Sequence, residues 1–186
     1  MRMLKNKKNG FTLVEILLVV GFIALAGIGI YTVYSKVQNS NAALTEGKNL
    51  DTLRGGIKSL YGGTQNYAGI TNTILNDGRI TPDSMRPMPY QAGNGTITNS
   101  FGGPVIVTPV SLGGTNNAFR VEYNNVPGSV CAKLISGAGA GWDQIEVGTG
   151  TVQVKPFGTG SLNIGALTTS CASDTGTGIP VVFVSL

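Results

Sequence analysis

Glu15 stands four residues beyond Phe11, in a stretch from Phe11 to Tyr34 that is otherwise uncharged and mostly apolar. A lone carboxylate in a segment long enough to cross a hydrocarbon core is costly, so it needs a partner. The stretch holds no cation; four lie before it, at Arg2, Lys5, Lys7 and Lys8. If the chain is cut after Gly10, Phe11 acquires a free ammonium group. That group on one copy can neutralise Glu15 on a neighbouring copy, the pairing a buried charge requires. Two other readings use the same segment. One is a plain membrane anchor with its basic flank kept in the cytoplasm. The other is a secretory signal peptide cut at Ala24-Leu25-Ala26. Neither gives Glu15 a partner.

Other chemistry is thin. The chain has no histidine, which removes the commonest general base and metal ligand. Its two cysteines, Cys131 and Cys171, form no CxxC pattern. If the body is exported, a single disulfide is the natural reading. It would close a loop of roughly 40 residues, worth about 4 kcal/mol in the chain-entropy model. The other reading is two buried free thiols. Asp143 and Glu146 lie three apart beside Trp142, but a Ca²⁺ site needs more oxygen ligands. No metal site is expected. Gly137-Ala138-Gly139-Ala140-Gly141 lacks the Gly-Lys-Ser/Thr ending of a P-loop and reads as a flexible loop. No histidine is present to activate a serine, and nothing singles out a Ser–Lys pair, so we expect neither an enzyme nor a cofactor. Asn94-Gly95-Thr96 matches a glycosylation sequon, a frequent coincidence in so polar a chain. Tyr90 and Trp142 are candidate receptor contacts if exposed, with ordinary packing as the alternative.

The elements that must position these residues follow from patterning. Charged residues make up 12% of the chain and glycines number 28. That polar, turn-rich composition suits loops and short strands outside the cell. Beyond residue 10 the chain carries nine basic and nine acidic residues, so the high pI gives no reason to expect nucleic-acid binding. The apolar segment continues past Tyr34 with Val33, Val37, Leu44, Leu50, Leu53, Ile57 and Leu60 at three- and four-residue steps. Lys36, Gln38, Asn39, Glu46, Lys48, Asp51 and Lys58 fill the polar side. This predicts one helix from Phe11 to Tyr61, roughly 75 Å long, stopped at Gly62-Gly63. Its glycines at 21, 27 and 29 permit either close helix packing or local unwinding. A short helix is expected at Thr71–Asp77, and another begins at Thr81-Pro82, with Thr81 as N-cap. Residues 86–103 read as loop. Strands are expected at Pro104–Val110, Ala118–Tyr123, Thr151–Lys155 and Pro180–Ser185, with a weaker one at Ile145–Val147. Ser129–Ser136 reads as a short helix carrying Cys131.

The segment Gly10-Phe11-Thr12-Leu13-Val14-Glu15, behind its basic leader, resembles the processing site of type IV pilins and the related type II secretion pseudopilins. The resemblance implies that a prepilin peptidase removes leader residues 1–10 by cutting after Gly10. It implies N-methylation of Phe11 and a role for Glu15 in docking subunits. It also implies an α+β pilin fold, with the N-terminal helix packed on a mainly antiparallel sheet and a disulfide-bounded C-terminal region. Residues 11–34 would be the membrane and fibre-core half of the helix, 35–61 its amphipathic outer half, and 62–186 the head. In the family the disulfide-bounded segment forms much of the exposed subunit surface. The stretch Leu50–Pro87 and the surroundings of Cys131 resemble type IVb pilins, notably major subunits of thin conjugative or adherence pili. The leader and Phe11 resemble the type IVa group. The implied partners are other copies, the peptidase, the inner-membrane assembly machinery and, before assembly, the membrane. The implied route runs from the bacterial inner membrane to an extracellular pilus used for cell–cell or surface attachment. A minor pilin or a pseudopilin is the alternative, although major pseudopilins usually lack the disulfide and carry a calcium loop. A secreted or anchored binding domain is the further one.

Overall fold

The computed structural model describes residues 11–64, 66–149, 152–173 and 176–186. Helix α1 spans Leu13–Tyr61. The chain forms two compact units, one ending at Gln38 and one running from Asn39 to Leu186. The first contains the early part of α1. Its residues Leu13–Tyr31 have a mean hydropathy of 2.6, long and apolar enough for a membrane span, and none is buried.

In the second unit, helix α2 (Asn72–Asp77) follows α1, and a 3-10 turn occupies Asp83–Met85. Then come β1 (Val105–Val110), β2 (Ala118–Val126) and α3 (Gly128–Ala138). Strands β3 (Gln144–Val147) and β4 (Val152–Lys155), helix α4 (Ile164–Cys171) and β5 (Ile179–Ser185) complete it. The strands form one antiparallel sheet in the order β1-β2-β5-β3-β4. This is the α+β arrangement expected from the sequence.

Side-chain alternation sets the inner face of the sheet. Phe119, Val121 and Tyr123 of β2, Val181 and Phe183 of β5, and Ile145 and Val147 of β3 are all buried. They join Leu50, Leu53 and Ile57 of α1 in one core. Burial of such side chains contributes about 2 kcal/mol each. Tyr61, Tyr67, Phe119, Trp142, Phe183 and Tyr123 run through it in successive ring contacts of 4.9–6.2 Å between centroids. On the outer face, Val182 and Val184 are buried between two polar pairs. Arg120 meets Glu122 at 3.0 Å, and Gln144 donates to Glu146 at 2.7 Å.

Several expectations need correction. The buried stripe of α1 is Ala43, Glu46, Leu50, Leu53 and Ile57, a strict alternation of three- and four-residue steps. Val33, Val37 and Leu44 fall off that phase and are exposed, and Leu60, which continues it, is exposed near the helix end. Glu46, assigned from the sequence to the polar side, lies inside the stripe. No α-helix starts at Pro82; the turn there is 3-10, and the buried Thr81 hydroxyl caps nothing. Helix α4 was not expected, because Gly165, Thr168 and Thr169 are poor helix formers. Its signal was Asn163, whose side chain accepts from the Ala166 N–H at 3.1 Å. Residues 137–141 are no flexible loop. They end α3 and form a 3-10 turn at Gly139–Gly141. The Lys155 ammonium is buried there and donates to the carbonyls of Gly139 (2.9 Å) and Trp142 (2.6 Å). A buried cation without such acceptors would be costly. Thr151, the expected start of β4, lies outside the described residues.

Candidate assembly site

Gly10 and the rest of residues 1–10 lie outside the described residues. Phe11 is exposed and precedes α1; Glu15 is exposed in its first turn. The Thr12 hydroxyl accepts from the Glu15 N–H at 3.3 Å, and the Thr12 carbonyl accepts from the Ile16 N–H at 3.2 Å. Thr12-Leu13-Val14-Glu15 is therefore a capping-box sequence at the helix start, a signal the reading of Glu15 as a lone carboxylate overlooked. The negative side chain also complements the positive end of the helix dipole. Chemistry and geometry agree: Thr12 orients the first turn, and Glu15 stands near the helix end, one turn from Phe11.

From Leu13 to Tyr31 the helix presents exposed apolar residues around its whole circumference, among them Leu17, Val20, Phe22, Ile23, Leu25, Ile28 and Ile30. A helix apolar on all sides has no stable place in water and belongs in lipid or among other such helices. Gly21, Gly27 and Gly29 meet nothing within 4 Å at the Cβ position, so nothing within a single copy requires them to be small.

In the second unit, Cys131 of α3 and Cys171 of α4 form a disulfide with Cα atoms 5.6 Å apart. Helix α3 is also tied to α1. Lys133 donates to the Ser40 hydroxyl at 2.7 Å, and Asn39 to that of Ser129 at 3.3 Å. The disulfide extends this attachment to α4.

The head is anchored to α1 at two further places that the sequence did not reveal. The buried Glu46 carboxylate accepts from the Tyr123 hydroxyl of β2 at 2.9 Å and from the Ser100 N–H at 2.9 Å. Burial, and then the neighbouring Glu46, push the Tyr123 phenol well above its ordinary range. Arg54 donates to the Ser185 hydroxyl at 3.1 Å, and Ser185 donates to Asp143 at 3.0 Å. Asp143 also accepts from the Leu186 N–H at 2.9 Å. The carboxylate weighed as a metal ligand thus secures the end of β5, while Glu146 is held by Gln144. Among the described residues no cluster of three or more metal-ligating side chains occurs.

Trp142 is buried in the core and offers no receptor contact. Tyr90 is half-buried; it donates to Asp77 at 2.8 Å, and Arg79 stacks on its ring at 3.8 Å. The Asn94 side chain turns inward on its own loop, accepting from the Thr96 N–H at 2.8 Å.

An apolar N-terminal helix and an antiparallel sheet with a stapled C-terminal region together define the type IV pilin class. Solved structures carry the same architecture. A type IVb pilin from Salmonella typhi superposes with a TM-score of 0.57 at 27% identity, over 75% of this chain and 96% of that one. The pilin TcpA of Vibrio cholerae El Tor shares the fold, with a TM-score of 0.54 at 18% identity, over 80% of this chain and 99% of its own. The chain belongs to the PilS N-terminal family, whose profile matches residues 40–186, and is a type IVb-like pilin. The resemblance of residues 1–11 to the type IVa group does not alter that placement. It is 29% identical over 115 residues to the major structural subunit of the bundle-forming pilus of Escherichia coli O127:H6. It is 23% identical over 155 residues to the toxin coregulated pilin of Vibrio cholerae. These matches cover 62% and 78% of this chain, and 56% and 65% of the respective relatives.

Proposed function

We propose that the chain is a prepilin, the precursor of a major structural subunit of a type IV pilus. A prepilin peptidase removes residues 1–10, and Phe11 becomes the methylated N-terminus. The first unit waits in the inner membrane with the head outside, then moves from lipid into a bundle of identical helices contributed by other copies. The assembly machinery of the inner membrane drives that transfer. The Phe11 ammonium of one copy meets Glu15 of another and sets the register. A misdocked copy leaves both charges unpaired in an apolar setting, so the pair discriminates docked from undocked states. The finished fibre is extracellular and serves attachment between cells or to surfaces.

The observation that carries this reading is the fully exposed apolar helix Leu13–Tyr31 joined to a pilin head. The named role of the Escherichia coli relative as a major structural subunit supports the major-subunit reading.

Mass spectrometry of the N-terminal peptide from fibres sheared off the native cells tests it. The expected result is an abundant chain beginning with methylated Phe11. A correctly processed chain present only in traces points instead to a minor pilin or pseudopilin. A soluble chain beginning at Gly27 would overturn the pilus reading in favour of an ordinary signal peptide.

A further inference from the structure

Strand β1 lies at the edge of the sheet, where unpaired backbone groups invite a strand from another molecule. Pairing with β2 on one side leaves Val105, Val107 and Pro109 with their backbone polar groups turned outward. Every outward donor there is accounted for. The Val105 N–H donates to the Ile97 carbonyl at 2.8 Å. The Val107 N–H donates to the side-chain Oδ1 of Asn72 at 2.8 Å. Pro109 has no N–H to offer. The same Asn72 carboxamide donates through Nδ2 to the Val105 carbonyl at 2.7 Å. One side chain thus satisfies the acceptor and the donor on either side of Ile106, the pair an added strand would use.

Asn72 is not a mobile surface amide. It is the first residue of α2, whose start is capped by Thr71. Further along the helix, buried Leu75 joins the core, and Asn76 donates to the carbonyls of Asn94 (2.8 Å) and Thr96 (2.9 Å). A substituent on Gly95 would meet the Thr73 hydroxyl at 2.8 Å, so the loop and helix sit in close contact.

We propose that the Asn72 carboxamide is a sheet terminator. It occupies the strand-addition site of β1 and directs association between copies away from that edge. The consequence for assembly rests on the pilin reading above. Heads crowded along a membrane or a fibre would otherwise pair edge to edge, in competition with docking through α1.

The test uses the full chain in detergent micelles and needs neither processing nor fibres, so it stands or fails separately from the pilus reading. Hydrogen exchange is measured at the Val107 amide, and association is followed by light scattering and by the infrared signature of intermolecular strands. In Asn72→Ala, and in Asn72→Leu, which keeps the volume without the hydrogen bonds, Val107 exchange should rise by about tenfold or more. Both variants should associate with concentration through new intermolecular strands. Adding Ile106→Lys, a charge on the exposed face of the freed strand, should return them to the wild-type size. A folded Asn72 variant of either kind that stays at wild-type size over the same concentrations overturns the proposal. So does association that Ile106→Lys leaves unchanged.

Discussion

The Tyr123 hydroxyl donates to the Glu46 carboxylate at 2.9 Å and so joins the middle of the sheet to α1. The second Glu46 oxygen holds the loop at Ser100. One buried carboxylate therefore fixes helix, strand and loop. Glu46→Ala should destabilise the head by about 2–4 kcal/mol, because it leaves a buried hydroxyl and a backbone N–H without their acceptor. Glu46→Gln keeps an acceptor and should cost less. Denaturant unfolding of the full chain in detergent measures both; equal stability of Glu46→Ala and wild type would contradict the anchoring role.

The same pair predicts an alkaline limit. Tyr123 has its pKa raised in the folded state, chiefly by burial. The unfolded chain therefore releases this proton first. The contribution is intact below the unfolded tyrosine value of about 10 and is lost as pH rises above it, at about 1.4 kcal/mol per pH unit. Tyr123→Phe should show a shallower decline above that pH. Parallel stability curves for the two proteins would show that Tyr123 is not the group concerned.

Reduction of Cys131–Cys171 should release α4 from α3 and destabilise the head by about 4 kcal/mol in the chain-entropy model. Thermal unfolding with and without reductant, alongside Cys131→Ser with Cys171→Ser, gives the comparison. The polar contacts of α3 to Ser40 and Asn39 should keep α3 in place, so exchange protection should fall mainly in α4.

Two adjacent glycines of α1 should respond differently to the same substitution. A methyl group at Gly55 meets nothing within 4 Å, whereas one at Gly56 would come within 2.6 Å of the Ile80 side chain. Gly55→Ala should stabilise by up to about 1 kcal/mol through helix propensity. Gly56→Ala must displace Ile80 and should show no such gain. Melting temperatures of the two variants decide the matter.

At the N-terminus, Gly10→Val should block cleavage and leave a precursor-sized product in the membrane. Glu15→Ala should be processed normally yet fail to assemble efficiently. Immunoblots of whole cells and of sheared fractions separate the two defects; normal fibres from Glu15→Ala would remove the docking role.

The elements were largely legible in the sequence because they depend on local spacing. Strand alternation placed β1, β2 and β5 within a few residues of their observed limits. The apolar stretch after Phe11 marked α1, and the helix expected at Thr71–Asp77 is α2 to within one residue. Helix α4 escaped because its own residues resist the helix, and its packing with a disulfide overrides that resistance.

Length, apolar run, basic N-terminal flank and the Gly10-Phe11…Glu15 spacing by themselves determine a membrane-length helix with a carboxylate that needs a partner. The tertiary structure alone decided which polar residues are buried. Glu46 lies one turn before Leu50 and faces inward, whereas Leu44, two residues earlier, lies on the opposite side of the helix and faces outward. Lys155 is buried because a turn 13 to 16 residues earlier offers it two carbonyls, and Asn72 closes an edge 33 to 35 residues later in the chain. Such pairings depend on distances across the folded chain, which local periodicity does not encode.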